Sequence, residues 1–350
     1  MTEPGRESTT NGAARHLPSD LALENVACNN CGSTRASVLA EGRDHEYPHT
    51  TAERFRMVRC DCGLVYLCPR PTAAELDRIY PPDYYAYQIV EQRLRESRGA
   101  RGKTSRLRRF MEKRAIERLR AYTRLVSSDG PVRILDIGCG DGTVLNQWKK
   151  AFDVAVETHG VEMSDKAAAI AEAQGHVVMP KRIEECELAR ESYDLVYSFH
   201  VIEHVADPAS FLRAVHGALK PSGLLLIETP NVDTADFRLF GPSGHWGAFH
   251  FPRHWTMYDG KTFRALAEKT GFEVTAIEYV PSAVFWVWSL HSALYARSPW
   301  LADRLFPPVD IMLRGSPWLW ALMSFFTALD IANAKLLGRT ACMRIQLRKA

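Results

Sequence analysis

Apolar and polar positions change rhythm along this chain, and the changes divide it. Between residues 131 and 280, short apolar runs alternate with stretches of helical spacing. "VRILDI", "VETHGV", "YDLVYS", "LLLIETP" and "EVTAIEYV" have the length and apolar content of buried strands. "KAAAIAEAQG" reads as a helix stopped by Gly175, "PASFLRAVHGALKPSG" as one ended by Pro221 and Gly223, and "KTFRALAEKTG" as a third. Strands alternating with helices predict a doubly wound, mostly parallel α/β sheet. "ACMRIQLRK", residues 341–349, reads as one last strand.

The flanks have other patterns. Residues 1–20 are polar and rich in small residues and predict a disordered leader. Residues 21–90 hold five of the eight cysteines and predict a small separate module. Residues 91–130 form a connector with an amphipathic helix over 105–126. Residues 131–280 are the core, 281–338 an aromatic-rich insert, and 339–350 return to the core sheet. In the insert, "AVFWVWSLHSALYA" and "WLWALMSFFTAL" are apolar nearly all round, and five of the eight tryptophans lie between Trp286 and Trp320. Each run is shorter than the roughly twenty residues of a membrane span. They fit an interfacial helix pair, a roof over a pocket, or a subunit contact.

Composition adds limits. The chain has 350 residues with a net charge of +3, but residues 93–124 carry thirteen Lys/Arg against three Glu. That stretch suits a solvated helix face, an anionic lipid surface or nucleic acid. The opening residues lack a secretory pattern, so the expected location is cytoplasmic, with a peripheral membrane contact left open. Eight cysteines in so long a chain do not suggest a disulfide scaffold. Cys28-x-x-Cys31 and Cys60-x-Cys62 are instead two thiol pairs, each followed by glycine, as in knuckles that hold a structural zinc.

The chemistry concentrates after the first core strand, in "DIGCGDG". Gly138, Gly140 and Gly142 miss the third position of the dinucleotide spacing, and no lysine follows as in a phosphate loop. Asp136 and Asp141 oppose phosphate and suit a ligand with a cationic end. Glu162, at the end of the second strand, is placed for ribose hydroxyls.

Together, "RILDIGCGDG", "GVEMS", "YDLVYSFHVIEHVADPASFLRAVHGALKPSGLLLIETPN" and Gly271–Phe272 resemble the class I S-adenosylmethionine-dependent methyltransferases. The similarity is to the branch that methylates quinone and sugar hydroxyls. It implies a Rossmann-like seven-stranded sheet whose last strand is antiparallel. The cofactor would lie against Asp136, Gly138, Gly140, Gly142, Glu162, Ile183, Ser198 and Phe199. Related quinone enzymes carry Glu-x-x-Glu-His after the fourth strand, where a divalent metal has been linked to it. Here the first acid is His200, followed by Glu203 and His204, which makes His200 a candidate base. "GHWGAFHFPRHWTMY" offers His250 and His254 as rivals. Some related methyltransferases also carry an N-terminal zinc-ribbon-like segment, which implies Cys28, Cys31, Cys60 and Cys62 as ligands. The second pair is shorter here than in that pattern, and Cys68, His45 or His49 could replace one ligand.

The reading is a methyltransferase acting on a small or lipid-linked acceptor, by O-methylation of a sugar or quinone-like compound, with homodimerisation left open. The rivals are an RNA methyltransferase, which lacks an Asn-Pro-Pro-Tyr/Phe-type motif here, and a non-catalytic interaction protein, which leaves the cofactor motifs idle.

Overall fold

The computed structural model describes residues 21–99, 106–309 and 316–350. The expected leader, residues 1–20, lies outside the described residues. The strands are β1 (Leu23–Glu24), β2 (Ala36–Gly42), β3 (Phe55–Cys60), β4 (Val65–Leu67), β5 (Arg70–Pro71), β6 (Val132–Ile137), β7 (Val156–Val161), β8 (Val177–Met179), β9 (Tyr193–Phe199), β10 (Leu219–Pro230), β11 (Thr256–Met257), β12 (Phe272–Val280) and β13 (Cys342–Lys349). The helices are α1 (Leu76–Ile79), α2 (Tyr85–Gly99), α3 (Arg106–Thr123), α4 (Thr143–Ala151), α5 (Asp165–Ala173), α6 (Pro208–Ala218), α7 (Ala235–Phe240), α8 (Gly260–Lys269), α9 (Ala283–Tyr295), α10 (Pro299–Leu305) and α11 (Pro317–Leu337).

Seven strands make the main sheet, in the order β12-β13-β10-β9-β6-β7-β8. β6, β7, β8, β9 and β10 run parallel, whereas β13 pairs antiparallel with both β10 and β12. This is the Rossmann-like methyltransferase arrangement. Strand order reverses between β6 and β9, which places a ligand cleft beyond their carboxyl ends. β6 is apolar because it is covered on both faces: Ile134 and Leu135 are fully buried. α6 stops at Ala218, short of Pro221. Proline disfavours helical backbone in the residue before it, and Leu219 is already extended.

The cysteine segment is less separate than its sequence suggests. β2, β3 and β4 form an antiparallel sheet whose fourth strand is β11, contributed by the loop after the core's fifth strand. Thr256 pairs with Tyr66 and Met257 with Val65. The apolar residues Phe55, Met57 and Leu67 then pack in one cluster with Trp246, Phe249 and Trp255. α2 crosses the expected boundary at residue 90 and carries the chain back to the cleft.

α9 and α11 pack against each other through Trp286, Val287, Leu319, Leu322 and Phe326. The Asp330 carboxylate accepts hydrogen bonds from Trp286 Nε1 (2.7 Å) and the Ser282 amide (2.8 Å). Among the described residues, no helix is long and apolar enough to cross a membrane.

Candidate active site

The glycine turn closes the carboxyl end of β6. Gly138, Gly140 and Gly142 all have positive φ, at 84°, 54° and 77°. A side chain at Gly138 would come within 2.6 Å of Val201, and one at Gly142 within 2.6 Å of His176, so the turn is confined on two sides. Gly140 faces open space. Glu162, following β7, ties the turn down: its Oε2 accepts from the Gly140 amide (2.9 Å) and its Oε1 from the Ser164 amide (2.8 Å).

Asp136, buried at the end of β6, and Glu162, which lines the cleft, form the two layers of an acidic wall. Burial, and then the Glu162 charge, push the Asp136 carboxyl well above its ordinary range. Burial also raises Glu162, against backbone hydrogen bonds that lower it. A cation in the cleft would relieve both acids. Asp141 is different: burial works against its charge, but Arg93 offsets this and keeps it below the usual carboxylate range. Arg93 Nη1 donates to both Asp141 oxygens, at 3.0 and 2.9 Å. The expected repulsion of phosphate by Asp141 is therefore partly cancelled, and the demand for a cation rests on Asp136 and Glu162.

The cleft beside this turn has a volume of about 330 Å³. Gly138, Glu162, Ile183 and Phe199 line one part of it, and Tyr80, Tyr84, Tyr85 and Tyr87 face it from α2 and its link to α1. Sequence periodicity gave no sign of this tyrosine wall; the run "YPPDYYAY" was its only trace. Ser198, expected on the cofactor wall, is fully buried in β9, and its hydroxyl has no hydrogen-bond partner among the described residues.

The three candidate bases have separate fates. His200 lines the cleft, with φ of 55° and a side chain 41% exposed. Its Nδ1 lies 3.2 Å from Glu203 Oε1 and its Nε2 3.3 Å from Glu228 Oε1. Burial opposes its charge, but hydrogen bonding to Cys342, Glu203 and Glu228 outweighs that and raises its pKa well above the usual value. An imidazolium has no free lone pair to take a proton, so His200 suits charge stabilisation and not base catalysis. His250 and His254 are buried and do not line the cleft. His254 Nδ1 donates to the Ala248 carbonyl at 2.6 Å, and burial, with His204 and His250 nearby, holds the ring neutral. His250 also has φ in the left-handed region, at 41°, and bridges Glu46 and Tyr84.

Glu203 and His204, the acid and histidine expected after β9, are engaged by the protein. Glu203 Oε2 accepts from the Thr229 hydroxyl at 3.1 Å. His204 Nδ1 lies 2.8 Å from the Tyr80 hydroxyl and 3.1 Å from the Arg253 carbonyl. Arg253 is fully buried, donating to Asp44 Oδ2 (2.7 Å), the Ile79 carbonyl (2.6 Å) and the Phe251 carbonyl (3.1 Å). It clamps the cysteine segment and α1 onto the loop before β11.

At the far end of that segment, Cys28, Cys31, Cys60 and Cys62 bring their sulfurs within 4.8 Å of one another. Cys28 and Cys62 sulfurs are 3.5 Å apart, and those of Cys31 and Cys60 3.4 Å. Gly32 donates to the Cys28 carbonyl four residues back and Gly63 to the Cys60 carbonyl three residues back, so the shorter pair closes a turn one residue tighter. Cys68 stays outside the quartet, with its sulfur 3.8 Å from Asn25 Oδ1.

The sheet thus carries a glycine turn after its first parallel strand and an acid, Glu162, after its second, on one cleft. Residues 105–277 match the family described as a methyltransferase domain. The chain is 28% identical over 195 residues to the ubiquinone biosynthesis O-methyltransferase of Bradyrhizobium diazoefficiens, covering 51% of this chain and 75% of that protein. It is 37% identical over 103 residues to the protein of the same name from Ruegeria pomeroyi, covering 29% of this chain and 42% of that one. A solved S-adenosylmethionine-dependent methyltransferase from Mesorhizobium loti superposes with a TM-score of 0.40 at 21% identity, covering 65% of this chain and 96% of that one. The chain is a class I S-adenosylmethionine-dependent methyltransferase.

The cleft fits that cofactor. Its acidic wall matches a ligand with an ammonium and a sulfonium, and its glycine turn leaves backbone-width room. Bound there, the cofactor supplies an electrophilic methyl group.

Proposed function

We propose that this protein methylates a hydroxyl of a small, flat, quinol-like aromatic acceptor, including lipid-linked forms. The observation that carries the reading is the tyrosine wall, Tyr80, Tyr84, Tyr85 and Tyr87, in the same cleft as Gly138 and Glu162. Aromatic side chains favour stacked or edge-on contact with a ring and present hydroxyls to its substituents. The names of the relatives point to the same substrate class. In this reading Asp136, Gly138, Gly140, Gly142 and Glu162 hold the cofactor, Ile183 and Phe199 flank it, and His200 stabilises negative charge developing on the acceptor oxygen.

Radiolabelled methyl transfer tests it. Prenylated catechols should gain label, while hexose and RNA fractions should not. Label in the sugar or RNA fraction alone would overturn the reading.

The cysteine quartet is read as a structural zinc site. Four thiolates complete a tetrahedral shell and leave no position open for catalysis.

A further inference from the structure

We propose that Tyr84, His250 and Glu46 form a relay that carries the acceptor's hydroxyl proton out of the cleft during methyl transfer. The proposal deepens the hydroxyl-methylation reading above and rests on it.

The three groups form one line. Tyr84 faces the cleft, and its hydroxyl lies 3.2 Å from His250 Nε2. On the other side of the ring, His250 Nδ1 lies 2.7 Å from Glu46 Oε1. The second oxygen, Glu46 Oε2, is buried and has no hydrogen-bond partner among the described residues. The line thus begins at the substrate space and ends on a carboxylate with an unused acceptor. The ring's position is fixed by its stacking on Trp288, at 5.4 Å between centroids and 13° between planes. Left-handed backbone at a non-glycine residue is uncommon, and His250 adopts it while making both contacts.

The protonation states follow from the partners. A carboxylate accepts, so Nδ1 carries the proton and Nε2 is left to accept from the Tyr84 hydroxyl. Burial, and then the Arg253 charge, hold His250 well below its ordinary pKa, which keeps it neutral at rest. Burial holds the Tyr84 phenol well above its ordinary value, so Tyr84 passes a proton and does not rest as a phenolate. Burial raises Glu46 to about 7, close to the pH at which it must take up and release a proton.

The surrounding charges permit this. Asp44, Arg253, His45 and His291 face Glu46. Arg253 is already paired with Asp44 at 2.7 Å, and burial pushes His45 down to about 3, so it is neutral. Glu203, His204, His254 and Tyr85 lie around His250, and burial lowers both neighbouring histidines. Of the two histidines that line the cleft, His200 is held protonated, and burial holds His204 down to about 4.

The step balances. The acceptor oxygen forms a bond to the methyl carbon as the carbon–sulfur bond breaks, and that electron pair stays on sulfur. The hydroxyl proton passes to Tyr84, the Tyr84 proton to His250 Nε2, and the His250 Nδ1 proton to Glu46. Glu46 ends as the neutral acid, and the proton returns to solvent by the reverse path when product leaves.

The test uses the full chain, Glu46→Gln and Tyr84→Phe, with a prenylated catechol as acceptor and 4-nitrocatechol as an optical probe of ionisation. Glu46 must be ionised to accept, so wild-type kcat should rise with pH through about 7 and then level. Both variants should lose kcat by at least tenfold, lose that inflection, and keep wild-type cofactor affinity by calorimetry. Without methyl donor, the pH midpoint for ionisation of bound 4-nitrocatechol should be higher in both variants than in wild type. Wild-type kcat, inflection and midpoint in Tyr84→Phe would overturn the relay, even if Glu46→Gln fails to fold. A wild type that methylates none of the catechols removes the hydroxyl reading itself, a separate failure from an active wild type whose variants are unchanged.

Discussion

Glu162 shows how one side chain can hold a cofactor turn in shape before any ligand arrives. Its two oxygens accept from Gly140 and Ser164, so it joins the turn after β6 to the start of α5. Hydrogen bonds to charged groups contribute roughly 1.5–3 kcal/mol each. Glu162→Ala loses both bonds and, in the proposed binding mode, the contact with the ribose side. Calorimetry should show cofactor affinity lowered at least tenfold, and the melting midpoint should fall as well, because both bonds are already made in the free protein. Unchanged affinity would mean that the turn holds itself and that Glu162 does not meet the ligand. The acids and glycines of this turn were legible in sequence because they lie within thirty residues and follow one apolar strand. The state of each histidine was not legible. His200 and His250 were equal candidates by composition, yet hydrogen bonding to Cys342, Glu203 and Glu228 raises the first, while burial and the Arg253 charge lower the second.

At the scale of elements, the sheet was readable wherever a long apolar run met a capped helix. β6, β9 and β13 follow their sequence patterns closely, whereas β10 begins at Leu219, inside the stretch expected to be helix. β11 was not readable: two residues long, it pairs Thr256 with Tyr66 across more than half the chain, and no local period records such a contact. Its pairing ties the cysteine sheet to the loop that follows the core's fifth strand. A zinc site at Cys28, Cys31, Cys60 and Cys62 would therefore act on more than its own knuckles. Elemental analysis should find about one zinc per chain, as four thiolates bind one ion. Cys28→Ser with Cys31→Ser should lower the thermal midpoint and also weaken acceptor binding, because the clamp from Asp44 to Arg253 rides on the same segment. Metal-free protein with an unchanged midpoint would refute the site.

The whole molecule has one surface that its core does not explain. α11 contacts α9 through Leu319, Leu322, Phe326 and Asp330, which recur at helical spacing and are buried. The rest of the helix is also apolar: Trp318 is 51% exposed, Trp320 53%, Phe325 62% and Leu336 81%. Trp300 on α10 is 69% exposed. At about 1.5 Å per residue the helix is roughly as long as a bilayer is thick, but Asp330 pins it to α9, so it lies along the protein. Exposed tryptophans suit the headgroup level of a membrane, where one ring edge is apolar and the other wet. An acceptor carried in the bilayer would give this face a reason to exist. Wild type should float with anionic vesicles, and Trp318→Ser/Trp320→Ser should stay in solution while keeping cofactor affinity. The arginine-rich α3 sets the salt response: loss of flotation at high salt means that it shares the contact, and salt-resistant flotation means that the apolar face acts alone. Wild type that never floats, and runs as a dimer that the double variant breaks, would assign the face to a second copy of the chain.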